Sequence, residues 1–157
     1  LSVSAIKKTK KASSMILSCL DFVYNDRVTD EIEAVVQFMN KQLFDSLGDE
    51  LGILVDFELN SDLPVDGFCT QDDDYDYTVE VNSKLRGKEL QLTVMHELIH
   101  VYQYITGSLY QEHIEGLGPR MVWHGEDMTS TEYNDRPWEI EAERMENELY
   151  DIFAKAA

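Results

Sequence analysis

The run Leu92-Thr93-Val94-Met95-His96-Glu97-Leu98-Ile99-His100-Val101-Tyr102-Gln103-Tyr104 constrains this chain more than any other stretch, because it sets the pattern H-E-x-x-H inside a long apolar segment. Residues four apart on an α-helix are rotated by roughly 400°, so His96 and His100 share one face and can point at one ion. Glu97 projects beside them, where a carboxylate can take a proton from water without itself holding the metal. Two neutral imidazoles and a third protein ligand leave one position of a zinc ion open, so the pattern predicts one zinc per chain. The flanks agree with a helix. Leu92, Met95, Ile99 and Tyr102 form one stripe and Val94, Leu98, Val101 and Ile105 a second, which predicts burial on most sides. Histidines and a glutamate in such a helix need partners, since a buried polar group without one is costly.

A chain of 157 residues, 43% of them hydrophobic, is expected to form one domain with a substantial core. No apolar run approaches the length of a bilayer span, and Lys7, Lys8, Lys10 and Lys11 lead into no long apolar block with a cleavage site, so neither a membrane partner nor a secretory signal is expected. Cys19 and Cys69 make no disulfide framework and neither sits in a C-x-x-C pair, which fits a reducing, cytoplasmic setting. The net charge of −18 argues against direct binding to nucleic-acid phosphates. It suits solubility, or an acidic surface that attracts a basic protein partner.

Residues 1–14 hold four lysines and no acid, and read as a basic tail or arm ahead of a domain at 15–157. Residues 15–24 are apolar enough for a short buried helix or strand. Over 29–47, Ile32, Val35, Val36, Met39, Leu43 and Leu47 predict an amphipathic helix, opened by Asp30 with Glu33 and stopped by Gly48 or Gly52. Ile53, Val55, Phe57 and Leu59 alternate as the inner face of a strand, with turn-like sequence at 60–67. Residues 72–76 are an acidic loop without the spacing of a calcium-binding hand. A strand then places Tyr75, Tyr77, Val79 and Val81 inward beside the metal helix, which begins near Lys88. Residues 107–136 show no sustained periodicity and read as a lid or wall over the metal, with a short hairpin pairing 121–123 and 128–131 across His124-Gly125. Pro137 opens a last helix with Trp138, Ala142, Met145, Leu149, Ile152 and Phe153 on its apolar stripe.

That last helix begins with Glu139, Glu141 and Glu143. Glu139 and Glu141 emerge on opposite shoulders of the stripe, being about 200° apart, and Glu143 lies one turn from Glu139 on its own shoulder. Glu139 or Glu141 can supply the third ligand, with His113 as a further candidate. Tyr133, His124 and His113 are candidate hydrogen-bond donors to a developing oxyanion.

Taken in order, Tyr77-Thr78-Val79-Glu80-Val81-Asn82, then His96 to His100, then Pro137-Trp138-Glu139-Ile140-Glu141-Ala142-Glu143 resemble the gluzincins, and within them small phage and bacterial SprT-like or ImmA/IrrE-like metallopeptidases, over roughly the C-terminal half. The resemblance implies a single α+β zincin-like domain: a small twisted sheet, the active-site helix, and a C-terminal helix supplying the third ligand. It implies Glu139 as that ligand, with Glu143 bracing a histidine. It also implies zinc-dependent hydrolysis of a peptide or protein substrate through a zinc-activated water, with Glu97 as general base. The pattern departs from other zincins. Gln103 and Thr106 stand where metzincins carry glycine and histidine. SprT-like proteases complete the site with a histidine, a part for which His113 is the candidate, and carry a basic or zinc-ribbon DNA-binding region that this chain lacks. The rival expectation is an acidic zincin-fold interaction or inhibitor protein, a DNA mimic being one form, in which zinc is structural.

Overall fold

The computed structural model describes residues 13–17, 19–24, 28–48 and 50–156. Strands β1 (Ser13–Leu17) and β2 (Leu20–Tyr24) lead into helix α1 (Asp30–Met39), which continues through a π-helical turn at Asn40–Phe44 and a 3-10 turn at Asp45–Leu47. Then come β3 (Ile53–Asn60), β4 (Gly67–Asp73), β5 (Asp76–Asn82) and helix α2 (Gly87–Thr106). Strands β6 (Leu109–Ile114), β7 (Gly118–Trp123) and β8 (Glu126–Asp127), a 3-10 turn at Tyr133–Asp135 and helix α3 (Pro137–Ala156) complete the order. The strands form two sheets, β1-β2-β3-β5-β4 and β6-β7-β8. With three α-helices among the described residues, this is a small mixed α+β domain. No helix among them is long and apolar enough to cross a membrane.

The first sheet is built on the expected alternation. Ile53, Val55 and Phe57 of β3 and Tyr77, Val79 and Val81 of β5 are fully buried on one face, and β2 adds Leu20 and Phe22. Parallel pairing of β2 with β3 requires a crossover, which α1 supplies. Its Ile32, Val35, Val36 and Met39 close over the sheet, and Val94, Met95, Leu98, Ile99 and Val101 of α2 fill the same core. Burying each such side chain contributes about 1.5–3 kcal/mol. The start of α1 is capped by Thr29, whose hydroxyl accepts from the Ile32 amide at 3.4 Å, and not by Asp30.

Several expectations are corrected. Of the two alternatives at 15–24 the strand holds, as two antiparallel strands of which the first already includes Ser13 and Ser14, while the basic arm at 1–12 lies outside the described residues. Tyr75 is not inward: it is 47% exposed at the turn of a β4-β5 hairpin whose strands take up most of the acidic loop. Leu59 is half-buried, and Ile152 is half-exposed on a helix whose other stripe residues pack inward. Residues 107–136, expected to be irregular, contain a three-stranded sheet over Leu109–Ile114, Gly118–Trp123 and Glu126–Asp127. A hairpin does turn at His124-Gly125, but its second strand is Glu126–Asp127 and not 128–131, with Val122 opposite Asp127 and Trp123 opposite Glu126. His124 and Gly125 both have positive φ, 46° and 84°, as a two-residue turn between twisted strands requires.

Candidate metal centre

Helix α3 runs antiparallel to α2, and this crossing assembles the site. Going up α3, Trp138 meets Gln103, Glu139 meets His100 and His96, and Glu146 meets His96. Pro137 starts α3 and Trp138 is buried, which fixes where Glu139 projects. The His96 Nε2 atom lies 2.9 Å from Glu139 Oε2 and 3.1 Å from His100 Nε2, and His100 Nε2 lies 3.0 Å from Glu139 Oε1.

This group could hold a metal ion. Both Nε2 atoms and the Glu139 carboxylate lie within hydrogen-bond distance of one another, so with the two nitrogens deprotonated all three donors would aim at one point. Donor atoms around a tetrahedral zinc with arms of 2.0–2.1 Å stand about 3.3 Å apart, close to the separations here. Two nitrogens and a carboxylate oxygen are also the donor chemistry that suits that ion.

The outer groups set the tautomers. The Gln103 amide donates to Trp138 O at 3.0 Å and to Glu141 Oε1 at 3.1 Å, so its oxygen faces His100 and accepts from Nδ1 at 2.8 Å. The proton of His100 is thereby held on Nδ1, leaving Nε2 free to ligate. Glu146 Oε2 lies 3.4 Å from His96 Nδ1 and acts likewise there. Burial disfavours charge on His96, but hydrogen bonds with Glu139 and Glu146 outweigh it and lift its pKa to about 10 in the metal-free protein. Burial also opposes ionisation of Glu139, yet its hydrogen bonds to His100 and His96 prevail and hold it well below the ordinary carboxylate range.

Glu97 is 6% exposed and makes no hydrogen bond among the described residues. Burial pushes its carboxyl up to about 7, only partly offset by the imidazoles of His100 and His96. Its Oε1 lies against Gly67 at the start of β4, where an added Cβ would stand 3.0 Å from that oxygen and 2.8 Å from Thr93 Cγ2. Only glycine lets the strand approach α2 this closely.

Of the other sequence candidates, the structure brings Tyr133 to the site, its hydroxyl donating to Glu139 Oε2 at 3.0 Å. Burial and the neighbouring Glu139 push its pKa up to about 12, which keeps it protonated at neutral pH. His124 stays away, exposed at the β7-β8 turn with its ring against Trp123. His113 is exposed on β6 opposite Pro119 and is outside the metal group. Glu141 reaches Gln103 rather than the metal position. Glu143 is exposed and does not brace a histidine; Glu146, seven residues after Glu139 and therefore back on the same face two turns on, does. Sequence reasoning missed Gln103, Glu146 and Gly67. Gln103 had a signal, standing three residues after His100 on the same helical face.

Two cavities flank Glu97. One, of about 450 Å³, is bounded by Phe68, Cys69, Leu109, Met121, Arg136 and Trp138 among others; the second, of about 610 Å³, lies towards the start of α2. Comparisons with family models, with curated proteins and with solved structures gave no match to this chain.

Proposed function

We propose that this chain is a zinc-dependent metallopeptidase of the gluzincin kind. The observation that carries the reading is the convergence of His96, His100 and Glu139 on one point beside Glu97, a buried carboxylate with no hydrogen bond of its own. Held there, zinc would supply Lewis-acid activation of water and polarisation of the scissile carbonyl. Glu97 takes the proton from the attacking water and returns it to the leaving amine; a base whose pKa lies near the working pH is suited to both transfers.

Tyr133 is the candidate donor to the oxyanion. Its protonated phenol swings from Glu139 to the new charge. Arg136 holds that turn in place, with its guanidinium 5.4 Å over the Tyr133 ring and its Nε donating to Thr131 O at 3.2 Å. The substrate backbone pairs with β4, an edge strand of its sheet among the described residues that begins against Glu97, so an extended peptide added there passes the base. The setting that fits is the cytoplasm, the substrate a peptide or protein, and the charge of −18 disfavours nucleic acid. The test is casein hydrolysis by the purified chain given one equivalent of zinc, abolished by chelator and restored by zinc. A protein that takes up zinc and cleaves nothing sinks the reading and favours a zincin-shaped interaction protein.

A further inference from the structure

The cavity of about 610 Å³ shares His96, Glu97, Tyr133, Gly67 and the His96 brace Glu146 with the site just described, and its other walls take no part in that chemistry. Its polar wall is acidic on three sides: Asp66 precedes β4, Glu89 sits in the first turn of α2, and Glu146 comes from α3. Among the described residues no lysine or arginine lines it. None of the three carboxylates is paired with a lysine or arginine among the described residues, and Glu146 meets only His96. Into the same space faces Glu97, 94% buried and without a hydrogen bond. Acidic walls alone would be an ordinary solvated surface. A buried carboxylate left without a donor is different, because it awaits a partner that the chain does not provide.

The geometry also selects among cations. The only group of side chains close enough to share an ion among the described residues is His96, His100 and Glu139, so Asp66, Glu89 and Glu146 stand too far apart to chelate a metal. Carboxylates spread around one cavity fit a long cationic side chain, whose apolar stem would lie along Leu92 and Val65. The opposite cavity is largely apolar and carries Arg136, so the two sides of Glu97 ask for different neighbours.

We propose that the cavity walled by Asp66, Glu89 and Glu146 is a subsite for a lysine or arginine side chain, so that the substrates are peptides basic next to the bond that is cut. This deepens the peptidase reading and rests on it for the word substrate. Charge-assisted hydrogen bonds to two or more carboxylates favour such a ligand, and the excess acid of the whole chain steers it inward.

The test measures binding by fluorescence anisotropy with labelled peptides Ala-Ala-Xaa-Phe-Ala-Ala, where Xaa is Lys, Arg, Gln or Glu, and follows their hydrolysis in the same samples. The zinc-loaded protein should bind the Lys and Arg peptides at least tenfold tighter than the Gln peptide, with the Glu peptide weakest. The double variant Asp66→Asn with Glu89→Gln should bring Lys and Gln within about twofold of each other. Glu148→Gln with Asp151→Asn removes the same charge elsewhere on α3 and should keep the preference. Equal affinity for Lys and Gln, no binding of any peptide, or a preference that survives the Asp66 and Glu89 changes overturns the subsite. Selective binding without hydrolysis keeps the subsite and removes the peptidase reading; hydrolysis without selectivity does the reverse.

Discussion

Gln103 Oε1 lies 2.8 Å from His100 Nδ1, and the amide behind that oxygen is anchored by Trp138 O and Glu141. One residue on α2 therefore sets both the orientation of a candidate ligand on its own helix and the seating of α3. Gln103→Leu should weaken zinc binding about 10–100-fold, the usual effect of losing such a support. It should also destabilise the protein by about 1–3 kcal/mol, because buried groups lose their partners. Competition against a chromophoric chelator reads the first and denaturant titration the second. Unchanged zinc affinity would mean that the amide is a packing residue only.

Glu139→Ala should lose zinc together with the thermal stabilisation that zinc gives, since the ion binds only the folded chain. Glu141→Ala should retain the metal with weakened affinity, its carboxylate standing one residue further out, on Gln103. Metal content and melting temperature with and without zinc decide the matter. Loss of zinc in the Glu141 variant alone would reverse the assignment.

In chelator, the stability of the protein should fall as pH rises above about 6.5. The folded chain holds the His96 proton with a pKa of about 10 against 6.5 for a free imidazole. A raised pKa means that the stabilisation is complete below 6.5 and is lost as pH climbs through 10. Glu139 works in the other direction, its contribution fading as pH drops below the ordinary carboxylate range. Melting temperatures from pH 6 to 10 should therefore decline for the chelated wild type and stay flatter for His96→Asn. Zinc should remove the decline, because it binds the imidazole deprotonated. Parallel slopes in wild type and variant would contradict this.

Gly67→Ala should keep zinc but cut turnover about tenfold or more, because the new methyl must push Thr93 or the Glu97 carboxylate out of place. Zinc titration and casein hydrolysis separate the two effects. Full activity in the variant would show that strand and helix can part without cost.

The chain announces its metal helix and its buried sheet because both rest on repetition: imidazoles four apart in an apolar run, and alternating Ile53, Val55, Phe57 and Tyr77, Val79, Val81. Elements with little buried on either face carry no such signal. Strand β4 is an edge with Phe68 exposed, and β6 is exposed beyond Leu109, so neither could be found by periodicity. The choice of Glu146 over Glu143 as the brace was hidden for another reason. It depends on how far α3 slides along α2, which is fixed by tertiary packing and leaves no mark on local sequence.

In the proposed reaction Glu97 moves the proton while His96, His100 and Glu139 hold the metal. The most direct measurement is the rate of casein hydrolysis by zinc-loaded Glu97→Gln against wild type, with metal content determined on both samples. Both proteins should carry about one zinc, and the variant should be slower by about 10²–10⁴-fold. Equal rates at equal zinc, or loss of zinc from the variant, would contradict the account.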